Sequence, residues 1–169
     1  MSVLSREELL AALAADPPLV EDLDLDLQLQ PNGIDIRVDR VARLVSRGTL
    51  GVEGREPAER TEVPDQDGWW DLAAGAYVIG YRERVNLPND VMALARPRSS
   101  LLRSGVAIHS AVWDAGYSGR GEGLLSVVNP EGYRLERGAR VLQLVFLRLG
   151  SPAAEGYRGT YQHEDVLPR

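Results

Sequence analysis

The sequence predicts a mainly β protein, built as a distorted, jelly-roll-like antiparallel barrel with one short N-terminal helix. Hydrophobic and polar residues alternate over several short runs, which is the pattern of half-buried strands. Clusters of Gly, Pro, Asn and Asp separate these runs and are typical of turns. Many short strands at such spacing favour a sandwich or a barrel.

The helix is predicted at the N-terminus. Ser5 and Glu8 have the spacing of a capping box, and leucines then recur at helical spacing as far as Leu13. The Ala-rich stretch ends at Asp16, which two prolines follow, so the helix cannot continue beyond it.

Strands are predicted from Leu23 onwards. The stretch LDLDLQLQ alternates strictly between apolar and polar residues, and IDIRVDRVARLV continues the alternation after a Pro-Asn-Gly turn. Shorter β-like runs predict four more strands, at 76–81, 106–112, 124–128 and 141–149.

Three segments have other patterns. The polar segment 48–71 is predicted to form a long hairpin or loop across the surface, and SSLLRSG at 99–105 a single helical turn that ends at its glycine. The last stretch, 150–169, lacks an apolar period and is predicted to be a flexible C-terminal tail. We expect all of these elements to form one domain, 1–169.

Composition excludes several classes of function. The net charge of −6 argues against a protein that binds nucleic-acid polymers by neutralising phosphates. The absence of cysteine excludes disulfides and thiolate zinc sites. No apolar run is long enough to span a membrane, and the N-terminus lacks the pattern of a signal peptide, so we expect a soluble cytoplasmic protein that binds no membrane. A small anionic ligand remains compatible, because a few arginines suffice to hold one.

The central segment contains two groups suited to phosphate chemistry. Pro-Arg-Ser-Ser at 97–100 combines hydroxyls, backbone N–H groups and a guanidinium, which together can hold phosphate oxygens. Asp114 follows in a Trp-Asp-Ala-Gly-Tyr turn, where a carboxylate can act as a general base. Each pattern also occurs in ordinary turns, so neither is specific alone.

The order and number of such segments carry more information. Five of them resemble, in order, the five motifs of the dUTPase and dCTP deaminase superfamily, and most closely its archaeal-type dUTPase branch. They are NGIDIRV at 32–38, PRSSLLR at 97–103, AVWDAGYSG at 111–119, GARVLQLVF at 138–146 and GYRGTYQHE at 156–164. The resemblance implies the dUTPase fold and hydrolysis of dUTP to dUMP and pyrophosphate.

The resemblance also implies roles for particular residues. Asp114 matches the catalytic carboxylate, which orients and deprotonates a water for attack on the α-phosphorus. Arg98 and Ser99 match groups that bind the phosphates, and Ser100 can offer its hydroxyl to the bridging oxygen of the leaving pyrophosphate. Tyr117 matches the aromatic residue whose ring packs under the deoxyribose and leaves no room for a 2′-hydroxyl.

Five more residues match substrate-binding positions of the family. Asp35 matches an acid that lies near the phosphates or braces the site, although its place in an alternating run also fits a polar strand residue facing water. Gln143 matches a glutamine that reaches the phosphates. Arg103 matches an arginine that the deaminases use, and it can also help to hold the phosphates in either activity. Tyr161 and Gln162 match the closing segment, so the tail is expected to cover the bound nucleotide.

Deamination of dCTP is the alternative activity of this superfamily. Its deaminases carry a proton-shuttling glutamate in the strand after the third motif, and the matching position here is Ser126, which cannot act in that way. Glu122 is close in sequence but is predicted to lie in the turn before the strand. The retained Arg103 keeps deamination, alone or coupled to hydrolysis, as the alternative, and a nucleotide-binding regulator without turnover is a third hypothesis.

The family also implies the wider setting of the site. The base is expected to be recognised by backbone groups of the hairpin at 107–116, in which His109 and Trp113 are interpreted as structural. No cluster of carboxylates stands out as a metal site, so Mg²⁺ is expected to arrive with the triphosphate. A homotrimer is implied, in which one chain supplies the phosphate turn, the next the hairpin and a third the tail.

Overall fold

The computed structural model describes residues 2–164, and its main feature is a curled antiparallel sheet of nine strands. Its strands are β1 (Ser2–Val3), β2 (Leu29–Gln30), β3 (Gly33–Leu44), β6 (Arg60–Glu62), β8 (Gly75–Tyr81), β10 (Val91–Pro97), β11 (Val106–His109), β13 (Glu122–Val127) and β15 (Arg140–Arg148). They run in the order β1-β15-β3-β8-β13-β11, with β10 paired to β15, and β2 and β6 paired to β3. The predicted mainly β, antiparallel fold is confirmed.

Three two-stranded sheets and three short helices complete the fold. The small sheets pair β4 (Thr49–Leu50) with β5 (Arg55–Glu56), β7 (Trp69–Leu72) with β14 (Tyr133–Glu136), and β9 (Val85–Asn86) with β12 (Ser118–Gly119). The helices are α1 (Arg6–Leu13), α2 (Leu25–Gln28) and α3 (Ser99–Leu102). In the described part of the chain, no helix combines the length and apolar character needed to cross a membrane.

Strand β3 forms the corner of the sheet. Its first half pairs with β15, where Asp35 lies opposite Gln143, and its second half pairs with β8, where Val41 lies opposite Ile79. The register shifts in both ladders near the middle of the strand, and such irregularities let a strand bend from one layer to the next. The two halves enclose a core of buried aliphatic and aromatic side chains, among which Ile36, Tyr81 and Phe146 are completely buried.

The helix predicted at the N-terminus is confirmed as α1. The capping box forms both of its hydrogen bonds: the Glu8 backbone N–H donates to the Ser5 hydroxyl at 3.3 Å, and the Ser5 N–H donates to the Glu8 carboxylate at 2.9 Å. Leu9 is completely buried and anchors the helix on the sheet.

The strand predicted for LDLDLQLQ, 23–30, is wrong over most of its length, because this segment contains the four-residue helix α2, whereas Leu29–Gln30 forms the short strand β2 and the following run forms β3 as predicted. The Asp24 side chain caps that helix by accepting from the Leu27 N–H at 3.3 Å. Leu25 and Leu27 are exposed, whereas Gln28 is buried and donates from Nε2 to the Asp35 carbonyl at 2.8 Å. The tertiary hydrogen bonds of Gln28 thus outweigh the alternating pattern, which would have buried the leucines.

The remaining elements follow the sequence more closely. The structure has strands at 75–81, 122–127 and 140–148, and the predicted strand at 106–112 ends earlier, at His109. The polar segment predicted at 48–71 forms the β4–β5 hairpin and β6 on the surface, but its end forms β7, in which Trp70 is buried. Strand β10 was not predicted, because its run VMALARP alternates poorly and ends in proline.

Candidate active site

The first part of the site surrounds the carboxylate of Asp35. Asp35 is buried on β3, opposite Gln143 on β15, which in turn lies opposite Arg96 on β10. Residues that face each other across antiparallel strands project to the same side, so these three lie in one row. The interpretation of Asp35 as a polar strand residue facing water is therefore wrong.

Two guanidinium groups flank this buried carboxylate. Arg98 Nε lies 3.4 Å from Asp35 Oδ2, and Arg140 Nη1 lies 3.3 Å from the same oxygen. Each arginine side chain keeps about a third of its surface exposed, so both can also face a ligand. Burial raises the pKa of Asp35, and the positive charges of Arg98 and then Arg140 only partly offset this effect.

The raised pKa of Asp35 predicts how its replacement changes stability with pH. The folded chain holds the proton more tightly than the unfolded chain, so the contribution of Asp35 to the free energy of unfolding is greatest below the ordinary pKa of 3.8. That contribution falls as the pH rises through the raised pKa. Asn at this position does not titrate, so Asp35→Asn should gain stability relative to the wild type across that window.

Urea denaturation of both proteins over a series of acidic pH values checks this expectation. The quantity compared is the difference between their free energies of unfolding at each pH. A difference that stays constant, or that shifts in favour of the wild type as the pH rises, would contradict burial as the dominant influence on Asp35.

The predicted helical turn after β10 is confirmed as α3, beside the Asp35 cluster. The Arg98 N–H donates to the Val141 carbonyl at 3.0 Å, which ties the start of the turn to β15. Leu101 is buried beneath the turn, whereas Ser99, Ser100 and Arg103 are exposed. Their side chains are therefore accessible to a ligand that contacts Arg98.

The second part of the site is a cavity of about 390 Å³ in the loop between β11 and β12. Asp114 and Tyr117 both line it. Trp113 is fixed to β10 by reciprocal backbone hydrogen bonds with Ala93, at 3.1 and 2.9 Å. The Tyr117 N–H then donates to the Asp114 carbonyl at 3.1 Å, closing a turn in which Gly116 adopts a φ of +83°. The Asp114 carboxylate is exposed at the start of this turn.

Aromatic rings form the wall of the cavity. Trp113 packs edge-on against Tyr117 with ring centroids 5.4 Å apart, and Tyr157 also packs against Tyr117, with centroids 5.7 Å apart. Trp113 also lies 6.0 Å from the buried ring of Tyr81. These contacts agree with the interpretation of Trp113 as a packing residue, and His109 is exposed at the end of β11.

The described part of the tail, 150–164, lies against the loop that contains Asp114. The Tyr157 N–H donates to the Ala115 carbonyl at 2.8 Å. Gln162 bridges the turn, since Nε2 donates to the Gly116 carbonyl at 2.9 Å and Oε1 accepts from the Ser118 N–H at 3.0 Å. Tyr161 lines the cavity. In this structure the tail lies on the loop of its own chain; residues 165–169 lie outside the described part.

Glu122 is placed differently from the prediction. It is the first residue of β13 rather than part of the turn before it, and it lines the same cavity as Asp114. One carboxylate oxygen accepts from Arg40 and the other from Arg60, each at 2.5 Å. Ser126 lies further along β13, opposite Ala76 and Ala107. The cavity therefore contains a second carboxylate, held by two guanidinium groups.

The predicted site residues thus form two groups. The residues lining the cavity include Asp114, Tyr117 and Tyr161, whereas Arg98, Ser99, Ser100 and Gln143 are not among them. Sequence reasoning missed two members, although both lie within matched motifs: Arg140 beside Asp35, and Tyr157 against Tyr117.

Among residues 2–164, no three or more His, Cys, Asp or Glu side chains lie close enough together to hold a metal ion.

Solved structures share this fold. A dCTP deaminase from Agrobacterium tumefaciens superposes with a TM-score of 0.67 at 24% identity, covering 88% of this chain and 48% of that one. The EIAV dUTPase superposes with a TM-score of 0.50 at 14% identity, covering 84% of this chain and 92% of its own. The molecule therefore has the β fold common to these two enzymes.

Comparison of the sequences shows to which family of proteins with this fold the chain belongs. The chain belongs to the dCTP deaminase-like family, whose model matches residues 3–149. A protein of Methanococcoides burtonii is 42% identical over 98% of this chain and 100% of its own length, and one of Archaeoglobus fulgidus is 43% identical over 98% and 99%. Both relatives are named probable deoxyuridine 5′-triphosphate nucleotidohydrolase. The resemblance to the superfamily and its archaeal branch is confirmed.

Proposed function

We propose that this protein is a dUTP diphosphatase, which hydrolyses dUTP to dUMP and pyrophosphate in the cytoplasm. The observation that carries the proposal is the cavity in which Asp114 and Tyr117 lie together. It is supported by relatives that are 42% and 43% identical over 98% of the chain and bear the corresponding name.

In the proposed reaction, Asp114 accepts a proton from a water whose oxygen attacks the α-phosphorus. The bond from that phosphorus to the α,β-bridging oxygen breaks, and pyrophosphate leaves. Arg98, Ser99, Ser100, Arg103 and Gln143 bind the phosphates, with Asp35 holding Arg98 in place. This division suits phosphoryl chemistry, which depends mainly on positioning and on charge stabilisation.

Tyr117 is proposed to select deoxyribose over ribose, because it lines the cavity and its ring is held in contact with Trp113 and Tyr157. Backbone groups of the loop after β11 would bind the pyrimidine, and Tyr161 and Gln162 would close over it. Mg²⁺ would enter with the triphosphate and neutralise its charge.

A homotrimer with shared sites is part of the proposal. Arg98 and Ser99 are absent from the lining of the Asp114 cavity within one chain. If the phosphate-binding residues of one subunit face the Asp114 loop of the next subunit, the two parts of the site meet at a subunit interface. The subunit that supplies the Asp114 loop would then also supply the tail.

Deamination of dCTP is the second candidate, favoured by the position of Glu122 in the cavity. Both oxygens of Glu122, however, accept hydrogen bonds from guanidinium groups, which suits an anchor better than a proton shuttle. We therefore expect no deamination.

Product analysis tests the proposal. The protein is incubated with Mg²⁺ and either dUTP or dCTP, and pyrophosphate and ammonia are both measured. We expect pyrophosphate from dUTP and no ammonia from dCTP. Ammonia from dCTP would instead support deamination, and tight dUTP binding without either product would indicate a regulator.

A further inference from the structure

The surface hairpin formed by β4 and β5 lies next to the tail, which contributes residues to the wall of the cavity. The hairpin is fixed at its base, where the Glu59 N–H donates to the Ser46 hydroxyl at 2.8 Å, and its tip is closed by the Gly51 N–H donating to the Gly54 carbonyl at 2.8 Å. Its apolar tip residues, Leu50 and Val52, are exposed and therefore add nothing to the core. Core packing thus gives no reason for the hairpin.

Arg55 on β5 makes the contact between this hairpin and the tail. Its guanidinium donates to the Thr160 hydroxyl, and its Cζ lies 5.5 Å from the centroid of the Tyr161 ring. An arginine can do both at once, because its planar group donates at the edge while its face lies over an aromatic ring. The tail is thereby held at the two residues that precede Gln162.

The same stretch of tail is seated closely on the turn after Asp114. A Cβ added at Gly116 would lie 2.5 Å from the Gly156 Cα, so backbone contacts backbone at this point. The His163 N–H also donates to the Ser118 carbonyl at 2.7 Å. The tail is therefore held at the cavity by contacts with the turn and with Arg55.

We propose that Arg55 is a positioning residue for the reaction, which acts by clamping the tail over the nucleotide. Arg55 is not among the residues that line the cavity; it acts through Thr160 and Tyr161. The clamp belongs to the same chain as the loop it closes, so each subunit closes the cavity of its own loop. The role in catalysis rests on the proposed dUTP hydrolysis, whereas the clamp itself does not.

Limited proteolysis tests the clamp without any assay of activity. Arg158 lies in the tail with a side chain that is 75% exposed, so trypsin cleavage after it reports tail opening. Arg55→Ala should accelerate this cleavage about fivefold, which is the effect of losing one exposed hydrogen bond and one cation–π contact. Arg47→Ala, which removes another exposed arginine at the base of the same hairpin, is the matched control.

Kinetics then test the role in the reaction. Arg55→Ala should raise the KM for dUTP roughly two- to fivefold with an unchanged thermal midpoint, since the clamp lies outside the core. In a Tyr161→Leu background, Arg55→Ala should have a smaller effect on both measurements than it has in the wild type, because the contact with the ring is already lost and only the hydrogen bond to Thr160 remains to be removed.

Three outcomes would overturn the proposal. Cleavage after Arg158 that matches the Arg47→Ala control would remove the clamp. Faster cleavage with an unchanged KM would show that Arg55 clamps the tail but has no role in the reaction. Fully additive effects in the Tyr161→Leu background would show that the contact of Arg55 with the Tyr161 ring does not cause the effects of Arg55→Ala. If the wild type does not hydrolyse dUTP, the proposed function fails by itself, and the cleavage rates still decide whether Arg55 clamps the tail.

Discussion

Asp114→Asn is expected to lower kcat for dUTP hydrolysis by a factor on the order of 10² to 10⁴, which is the usual contribution of a general base. The amide has nearly the shape of the carboxylate but cannot take a proton from water. Because Asp114 is exposed at the start of its turn, the substitution leaves the core untouched. Pyrophosphate release under saturating dUTP measures kcat, and equilibrium dialysis measures the binding that should persist.

Mixed oligomers provide the matched control for this prediction. Arg98→Ala should also be inactive, because it removes a phosphate-binding group from the other part of the site. If sites are shared between subunits, mixing the two inactive variants at equal amounts should restore roughly a quarter of wild-type activity, since that fraction of sites contains neither defect. Activity of Asp114→Asn within tenfold of the wild type would remove Asp114 as the base. A mixture no more active than its parents would argue against shared sites.

The success of sequence analysis varies with the range of the interactions involved. Helix α1 was predictable because its capping box is a local device, with both hydrogen bonds between Ser5 and Glu8. Helix α2 was not, because Gln28 is drawn inward by Asp35 and Glu83, the latter 55 residues away in sequence. The sequence around this helix, LDLDLQLQ, alternates between apolar and polar residues and therefore predicts a strand instead.

The same distinction holds in the candidate site. Asp114 and Tyr117 lie in one short motif, and the structure brings them to one cavity. The two glycines that flank Glu122 predict a turn, yet the backbone there pairs with Gly80 of β8. The contact of Arg55 with Thr160 joins segments 105 residues apart, for which a single sequence carries no signal.

Glu83 lies at the centre of the buried network that supports Asp35. Its side chain is completely buried, and Oε1 accepts from Gln28 Nε2 at 2.9 Å and from Arg37 Nε at 2.5 Å. The other oxygen accepts from the Arg37 backbone N–H at 2.9 Å. Since Gln28 Nε2 also donates to the Asp35 carbonyl, the network connects α2 to the first part of the site.

Glu83→Ala should therefore reduce the free energy of unfolding by about 3–5 kcal/mol, the cost of removing one partner of a buried ion pair. The loss includes the donors of Gln28 and Arg37, which would remain inside the protein without their acceptor. Glu83→Gln keeps the size of the side chain and one acceptor oxygen, and should lose less. Urea denaturation at one fixed protein concentration measures each change, because assembly would otherwise alter the apparent stability.

Glu53→Ala is the control for this series, since Glu53 is an exposed glutamate near the tip of the β4–β5 hairpin and its removal should change stability by less than about 0.5 kcal/mol. A loss below about 1 kcal/mol for Glu83→Ala would mean that water or a rearranged Arg37 replaces the carboxylate. In that case, the hydrogen bonds of Glu83 would not be needed to hold α2 next to Asp35. A large loss of stability together with a raised KM for dUTP in Glu83→Gln would instead show that the Glu83 network supports phosphate binding. The connection would be the hydrogen bond from Gln28 to the Asp35 carbonyl.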